Sequence, residues 1–223
     1  MPRRSGPGTR QVLIAAVAIT GALAGPARAG DYPAGNDLRE IRVGMRVADL
    51  PTEGYAGFAC AADPERKLHG WAEYATCPRD EHGLHAIAFG YDERSNVLGP
   101  LDDKYQGTKV AGHPVLLTLL VGDDGRVDGL EMRTDPKARL YLRKKAFLFA
   151  NQVKARYGEE GWVCSSAPPT GDEAPVGGTF IKEHCEKRAD GRRLVLEREL
   201  LRHSGEELRQ FVGETRFTIL REG

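Results

Sequence analysis

The sequence predicts an α+β protein: two α-β-β-β-type halves, antiparallel sheet packed on one long helix, and two disulfides. Three observations predict it. Four cysteines fall into two similarly dressed pairs, Cys60/Cys77 and Cys164/Cys185, each entered through an acidic residue, a glycine and an aromatic (EGYAGFAC and EEGWVC). Each second cysteine is followed by a strand-like run, LHAIAFGY in one case and RRLVLEREL in the other. Between the pairs, Asp135 to Tyr157 carries the apolar period of a helix.

Residues 1–29 read as an export signal. Arg3, Arg4 and Arg10 form a basic n-region, Val12 to Ala24 the apolar h-region, and Ala27-Arg28-Ala29 the small residues of a cleavage site, so cleavage is expected after Ala29. The h-region is shorter than the roughly 20 apolar residues that span a bilayer. No second long apolar run follows, so no transmembrane segment is expected after cleavage, and the destination is the periplasm or the exterior. The two halves are then expected at 30–134 and 135–223, packed as one compact unit. The chain holds 32 basic and 32 acidic residues. The leader takes four arginines and no acid, leaving 28 against 32, a net charge of −4. That mildly acidic balance supplies no global electrostatic drive toward nucleic acid, and no nucleic-acid partner is expected.

Four cysteines in an exported chain read as two disulfides, of which three connectivities are conceivable. Cys60–Cys77 and Cys164–Cys185 are favoured because each closes a short local loop, for roughly 3 kcal/mol each in the chain-entropy model. A thiolate zinc site would show closely spaced C-x-x-C pairs, which this sequence lacks.

Along the chain, Asp37 to Leu50 predicts a turn at Gly44 and a short helix, with Leu38, Ile41 and Met45 on one face and Pro51 as the stop. Gly57–Ala61, Trp71–Cys77 and Leu84–Tyr91 read as three strands, the last alternating large (His85, Ile87, Phe89, Tyr91) with small residues. Asp92 to Val110 is a long charged loop. Val115–Val121 (VLLTLLV) is the most apolar strand and is placed centrally. The turn Gly122-Asp123-Asp124-Gly125 leads back along Arg126–Arg133 as a hairpin. Asp135 caps the long helix, Pro136 takes its first position and Gly158 stops it, with Ala138, Leu142, Ala146, Phe149, Val153 and Tyr157 on one face. The second half then places strands at Trp162–Cys164, Thr179–Cys185, Arg193–Arg202 and Glu214–Leu220, with turns at Asp190-Gly191 and Ser204–Glu207.

Several constellations bear on chemistry. The long helix carries Lys137, Arg139, Arg143, Lys144, Lys145, Lys154 and Arg156 with no acid between Asp135 and Glu159. Arg139, Arg143, Lys144 and Lys145 are therefore the candidate contacts for an anionic partner or surface, against the alternative of a solvated face. Asp123 and Asp124 in the hairpin, and Asp102 and Asp103 in the long loop, are candidate oxygen ligands for a hard cation. The spacing of a calcium loop is missing, however, and Asp-Gly is ordinary turn chemistry. His82 and His85 would need further ligands to hold a metal. No H-E-x-x-H, G-x-S-x-G or P-loop pattern occurs. No catalytic residue, metal or cofactor is expected.

The segment Ile41–Leu50 (IRVGMRVADL) resembles the opening signature of tandem α/β exported modules, namely the beta-lactamase-inhibitor-protein-like fold and the small lipoprotein of the outer-membrane assembly machinery. Val43-Gly44-Met45 and the two cysteine pairs carry the resemblance. Arg46 stands where Ser or Thr is usual, and the second half has no Gly-Met motif. The resemblance implies one disulfide per repeat, an antiparallel sheet after a short helix, and a habit of binding proteins in the envelope. It implies a role for no individual side chain here.

The expected function is thus that of an exported, non-enzymatic binding protein acting on another envelope protein. The alternatives are a metal-binding or hydrolytic protein using the acidic loop and His82/His85, and a structural envelope component.

Overall fold

The computed structural model describes Met1 and residues 35–92, 108–207 and 209–222. The expected leader and the candidate ligands Asp102 and Asp103 lie outside these residues. Strand accounts for 47% of the chain and helix for 14%, which overturns the α+β expectation. The protein is an antiparallel β structure with short helical turns laid on one face.

The strands are β1 (Tyr55–Cys60), β2 (Asp63–Lys67), β3 (His85–Tyr91), β4 (Lys109–Val110), β5 (His113–Val121), β6 (Val127–Thr134), β7 (Val163–Ser166), β8 (Glu173–Ala174), β9 (Ile181–Ala189), β10 (Arg192–His203) and β11 (Val212–Arg221). They form one sheet in the order β2-β1-β3-β5-β6-β11-β10-β9-β7, with β4 added to β5 and β8 to β10. Apart from β2, the order is mirrored about the β6–β11 pair, with β1-β3-β5-β6 on one side and β11-β10-β9-β7 on the other. Short turns enforce the neighbouring pairings. β9 and β10 are joined by Asp190-Gly191, both at positive φ (52° and 68°), the conformation a two-residue hairpin of the right twist requires. β5 and β6 are joined by the expected Gly-Asp-Asp-Gly turn, with Gly125 at φ 71°.

The alternation of the strands sorts the sheet into two faces. One carries the core. Leu117, Met132, Phe217, Leu196 and Cys185 stand in register across β5, β6, β11, β10 and β9, and Leu119, Leu130, Ile219 and Leu194 form the next row. All are buried, each large side chain contributing about 1.5–3 kcal/mol. The central placement of Val115–Val121 holds: β5 lies between β3 and β6.

The long helix expected over Asp135–Tyr157 is replaced by three short pieces: α1 (Leu140–Arg143), a 3-10 turn (Ala146–Leu148) and α2 (Phe149–Tyr157). Two causes act together. The segment has no internal carboxylate to offset its cations at helical spacing, so like charges crowd one another. Tertiary contacts then claim its carbonyls. The hydroxyl of Thr215 donates to the Ala146 carbonyl at 2.9 Å, and Gly213 lets the Arg143 carbonyl press on β11 where a Cβ would collide. The apolar face survives from Ala146 onward, with Phe149, Ala150, Val153 and Tyr157 buried on the core. Gly158 ends α2 at φ 85°. There the buried Lys187 donates to the carbonyls of Tyr157 (2.6 Å) and Glu160 (2.8 Å), answering the orphan acceptors of the helix end.

Two further expectations change. Trp71–Thr76 is a 3-10 helix rather than a strand, because the edge of β1 is taken by β2 and the Cys60–Cys77 disulfide draws the turn down onto β1. Its Trp71 is buried among Tyr55, Phe58 and Phe89 in edge-on contacts and donates to the Pro51 carbonyl at 2.8 Å. The helix expected before Pro51 is reduced to the three residues Val47–Asp49. Ahead of it, Leu38 and Ile41 pair across a tight turn and bury their side chains, and Gly44 makes the expected turn at φ 96°. The cysteines pair as Cys60–Cys77 and Cys164–Cys185.

Candidate functional site

The face opposite the core is polar, and its residues line up by register. Ser165, His184, Glu197, Arg216 and Arg133 stand side by side across β7, β9, β10, β11 and β6. The neighbouring positions Lys182, Glu199 and Glu214 form a second row. Over β9, β10 and β11 these rows line an open hollow of about 480 Å³, bordered by Ser165 and Ala167.

His184 sits between two carboxylates, with Nε2 3.0 Å from Glu186 and Nδ1 3.3 Å from Glu197. The Glu186 contact, helped by Glu197, raises its pKa against a smaller opposing effect of burial. Carboxylates facing both ring nitrogens favour the protonated imidazole, which can donate at both. That geometry is unsuited to a general base for the adjacent Ser165, which would require one ring nitrogen free to accept a proton. Glu186 is pulled down to about 2, chiefly by the two-pronged Arg193 contact at 2.5 and 3.0 Å and then by His184.

The hollow is lined by charges of both signs, with Lys182, His184, Arg198 and Arg216 among Glu183, Glu197, Glu199 and Glu214. Arg216 reaches Glu131, Glu197 and Glu214 at only 3.6–4.0 Å, so one guanidinium is shared thinly among three carboxylates. Its Nε is buried without a hydrogen-bond partner. Lys182 is drawn aside to Glu173 at 2.7 Å. Burial raises the pKa of Glu131 despite Arg216 and Arg133. Arg198 and Glu183 form a separate bidentate pair on the core side at 2.6 and 3.1 Å.

The residues singled out from sequence are dispersed. Asp123 accepts from Arg79 at 2.5 Å and faces His85 Nε2 at 3.3 Å; the Arg79 bond leads in lowering its pKa. Asp124 accepts the Arg126 amide at 3.1 Å and lies 3.5 Å from that guanidinium. These two carboxylates are thus answered by protein cations and the turn backbone. His85 is nearly buried, with Nδ1 2.7 Å from the Cys77 carbonyl, while His82 lies half-exposed near Glu81. The two histidines have no ligand in common. Cys164, Glu183 and Cys185 cluster tightly, but the two sulfurs are joined to each other. Arg143 is turned inward, its guanidinium donating to the Phe211 carbonyl and stacking over that ring at 4.8 Å. Arg139, Lys144 and Lys145 remain exposed on the other side of the molecule.

Sequence reasoning missed the hollow. A partial alternation was visible, with Lys182, His184, Glu186 and Arg188 in one strand and Glu197 and Glu199 in the next, but the cross-strand register that aligns Ser165, His184, Glu197 and Arg216 is a property of pairing across long separations.

No protein-family model matches the chain, nor does any curated protein or solved structure. The function is therefore argued from the site.

Proposed function

We propose that the protein is an exported binding protein, non-enzymatic, which engages another envelope protein through the polar face of its sheet. The observation that carries this reading is the charged hollow over β9, β10 and β11. Arg216 lies 3.6–4.0 Å from Glu131, Glu197 and Glu214 without a close bond to any of them, so these carboxylates keep acceptor capacity for a lysine or arginine from a partner. Export is supported by the leader-like residues 1–29 together with two disulfides, which persist in oxidising compartments. The mirrored strand order, with one disulfide on each side, supports the likeness to beta-lactamase-inhibitor-protein-like modules and their protein-binding habit.

The hollow lies beside an edge that invites a partner. At one end of the sheet β2 (DPERK) is blunted by charges and a proline; at the other, β7 (VCSS) has neither. Val163 on β7 is 78% exposed. An extended partner segment added to β7 would run alongside the hollow.

The test is differential capture from periplasmic extract by the wild type and by Glu197→Lys/Glu199→Lys/Glu214→Lys. The reading expects at least one envelope protein retained by the wild type and lost by the reversal variant. Identical capture by both, or none by either, removes it. Fractionation and the mass of the exported chain, expected to start at Gly30, check the compartment.

A further inference from the structure

We propose a second, independent surface: the segment Lys137–Leu148 docks the protein on an anionic phospholipid membrane. Among the described residues, the exposed large apolar side chains are Met1, Leu116, Leu140, Tyr141, Leu148 and Val163. Three of these six lie within nine residues of one another, at 47%, 53% and 37% exposure for Leu140, Tyr141 and Leu148. The same stretch exposes Lys137, Arg139, Lys144 and Lys145. No carboxylate occurs between Asp135 and Glu159.

The backbone sets these side chains next to each other. The Lys144 amide donates to the Leu140 carbonyl at 2.9 Å and the Arg143 amide to Arg139 at 3.0 Å, so Leu140 and Lys144 share one side of a helical turn. Leu142 and Ala146 face the sheet instead. Arg143 is withdrawn by Phe211, and the Thr215–Ala146 bond fixes the segment to β11. What remains outward is two leucines and a tyrosine in a segment that also exposes four cations.

That composition selects its occupant. Tyr is the side chain of the membrane interface, with an apolar ring and a polar tip, and lysine stems lie along apolar surface while the ammonium stays at headgroup level. Four cations without an acid among them complement a leaflet of anionic headgroups, whereas the chain beyond the leader is net acidic. The segment covers the core face of the sheet, so docking there leaves the hollow on the opposite face turned away from the membrane.

The experiment is co-sedimentation of the purified protein with vesicles of phosphatidylethanolamine and phosphatidylglycerol (3:1), against pure phosphatidylcholine vesicles. Binding is expected to the anionic vesicles, to fall with added salt, and to drop about 25-fold in Lys144→Gln/Lys145→Gln, at roughly fivefold per cation. Leu140→Ser/Tyr141→Ser should also weaken it, while Leu116→Ser, on the other face, should not. Circular dichroism checks that each variant is folded. Brominated phosphatidylglycerol should quench the added fluorescence of Tyr141→Trp. Equal binding to both vesicle types, or no loss in the glutamine pair, overturns the proposal. So does a wild type that dimerises without binding vesicles and becomes monomeric in Leu140→Ser/Tyr141→Ser, since a second copy would then own the patch.

Discussion

Replacing Asp37 with alanine tests how the turn over residues 37–43 is tied to the strands that carry the hollow. Asp37 is fully buried, and its Oδ1 accepts from Arg192 at 2.7 Å across 155 residues of sequence. Its other oxygen accepts the Val43 amide at 2.8 Å. Arg192 opens β10, the strand that carries Glu197 and Glu199, and its own side chain is only 14% exposed. Removing one partner of a buried pair typically costs about 3–5 kcal/mol. The slight access of Arg192 to water places Asp37→Ala at about 3 kcal/mol, a fall in melting temperature of roughly 6–12 °C for a chain of this size. Asp37→Asn keeps the shape and one acceptor and should cost about 1–2 kcal/mol. Burial raises the Asp37 pKa above its ordinary 3.8, ahead of the downward pulls of the Val43 amide and Arg192. The folded state therefore binds this proton more tightly than the unfolded state, and the contribution of Asp37 grows as pH falls through its folded pKa toward 3.8. The penalty of Asp37→Ala should then widen, not shrink, between pH 7 and pH 4. Urea unfolding of the wild type, Asp37→Ala, Arg192→Ala and the double variant measures this. A coupling energy below about 0.5 kcal/mol would refute the argument, since contacting buried partners are expected to couple more strongly.

His184 has a raised pKa, so its contribution to stability is complete below its unfolded pKa near 6.5 and is lost as pH rises through the folded value. His184→Gln should flatten that part of the stability profile, and because His113 is shifted the other way by burial, the comparison is between variant and wild type. Glu186, held at about 2, contributes stability above roughly pH 4.5 that disappears as pH falls toward 2, a step absent in Glu186→Gln. Cys164 is exposed, whereas Cys60 and Cys77 are both buried. Limited reduction and alkylation should therefore label Cys164 and Cys185 first, by mass spectrometry, and equal labelling would contradict the packing. Gly129→Ala places a Cβ within 2.9 Å of the Ile219 carbonyl and the Leu120 and Leu220 side chains, and should cost about 1–3 kcal/mol in urea unfolding.

What was legible in the sequence depended on range. The cysteine pairing was readable because each pair is local, 17 and 21 residues apart, and the Asp190-Gly191 and Gly122–Gly125 turns were readable because their chemistry is contained in the turn itself. The helix over 135–157 was misjudged for the opposite reason. Its apolar period is real from Ala146 to Tyr157, but the break at Lys144-Lys145 is imposed by Thr215 and Gly213, some 70 residues away. The hollow failed the same way. His184 and Glu186 are two apart and could be paired by eye, yet Glu197 and Arg216 join them only through the register of β9, β10 and β11.

The mirrored strand order makes the differences between its two sides informative. In the side ending at β6, Tyr55, Trp71 and Phe89 pack in edge-on contacts behind the Cys60–Cys77 bridge, and the sheet edge is closed by the charged β2. On the side ending at β11, the disulfide lies at the margin, half in solvent, and β7 beyond it is neither covered nor charged. The same side carries Glu197, Glu199 and Glu214 on one face and, on the other, Leu140, Tyr141, Lys144 and Lys145 in the segment packed on β11. A charged hollow, exposed apolar side chains and an uncovered edge strand thus collect on one side of the symmetry. If the two proposed surfaces act in binding, substitutions that disturb it without loss of fold should fall on residues 137–148 and on β7, β9, β10 and β11. Those that unfold the protein should concentrate among Tyr55, Trp71, Ile87 and Phe89 and in the central rows of β5 and β6.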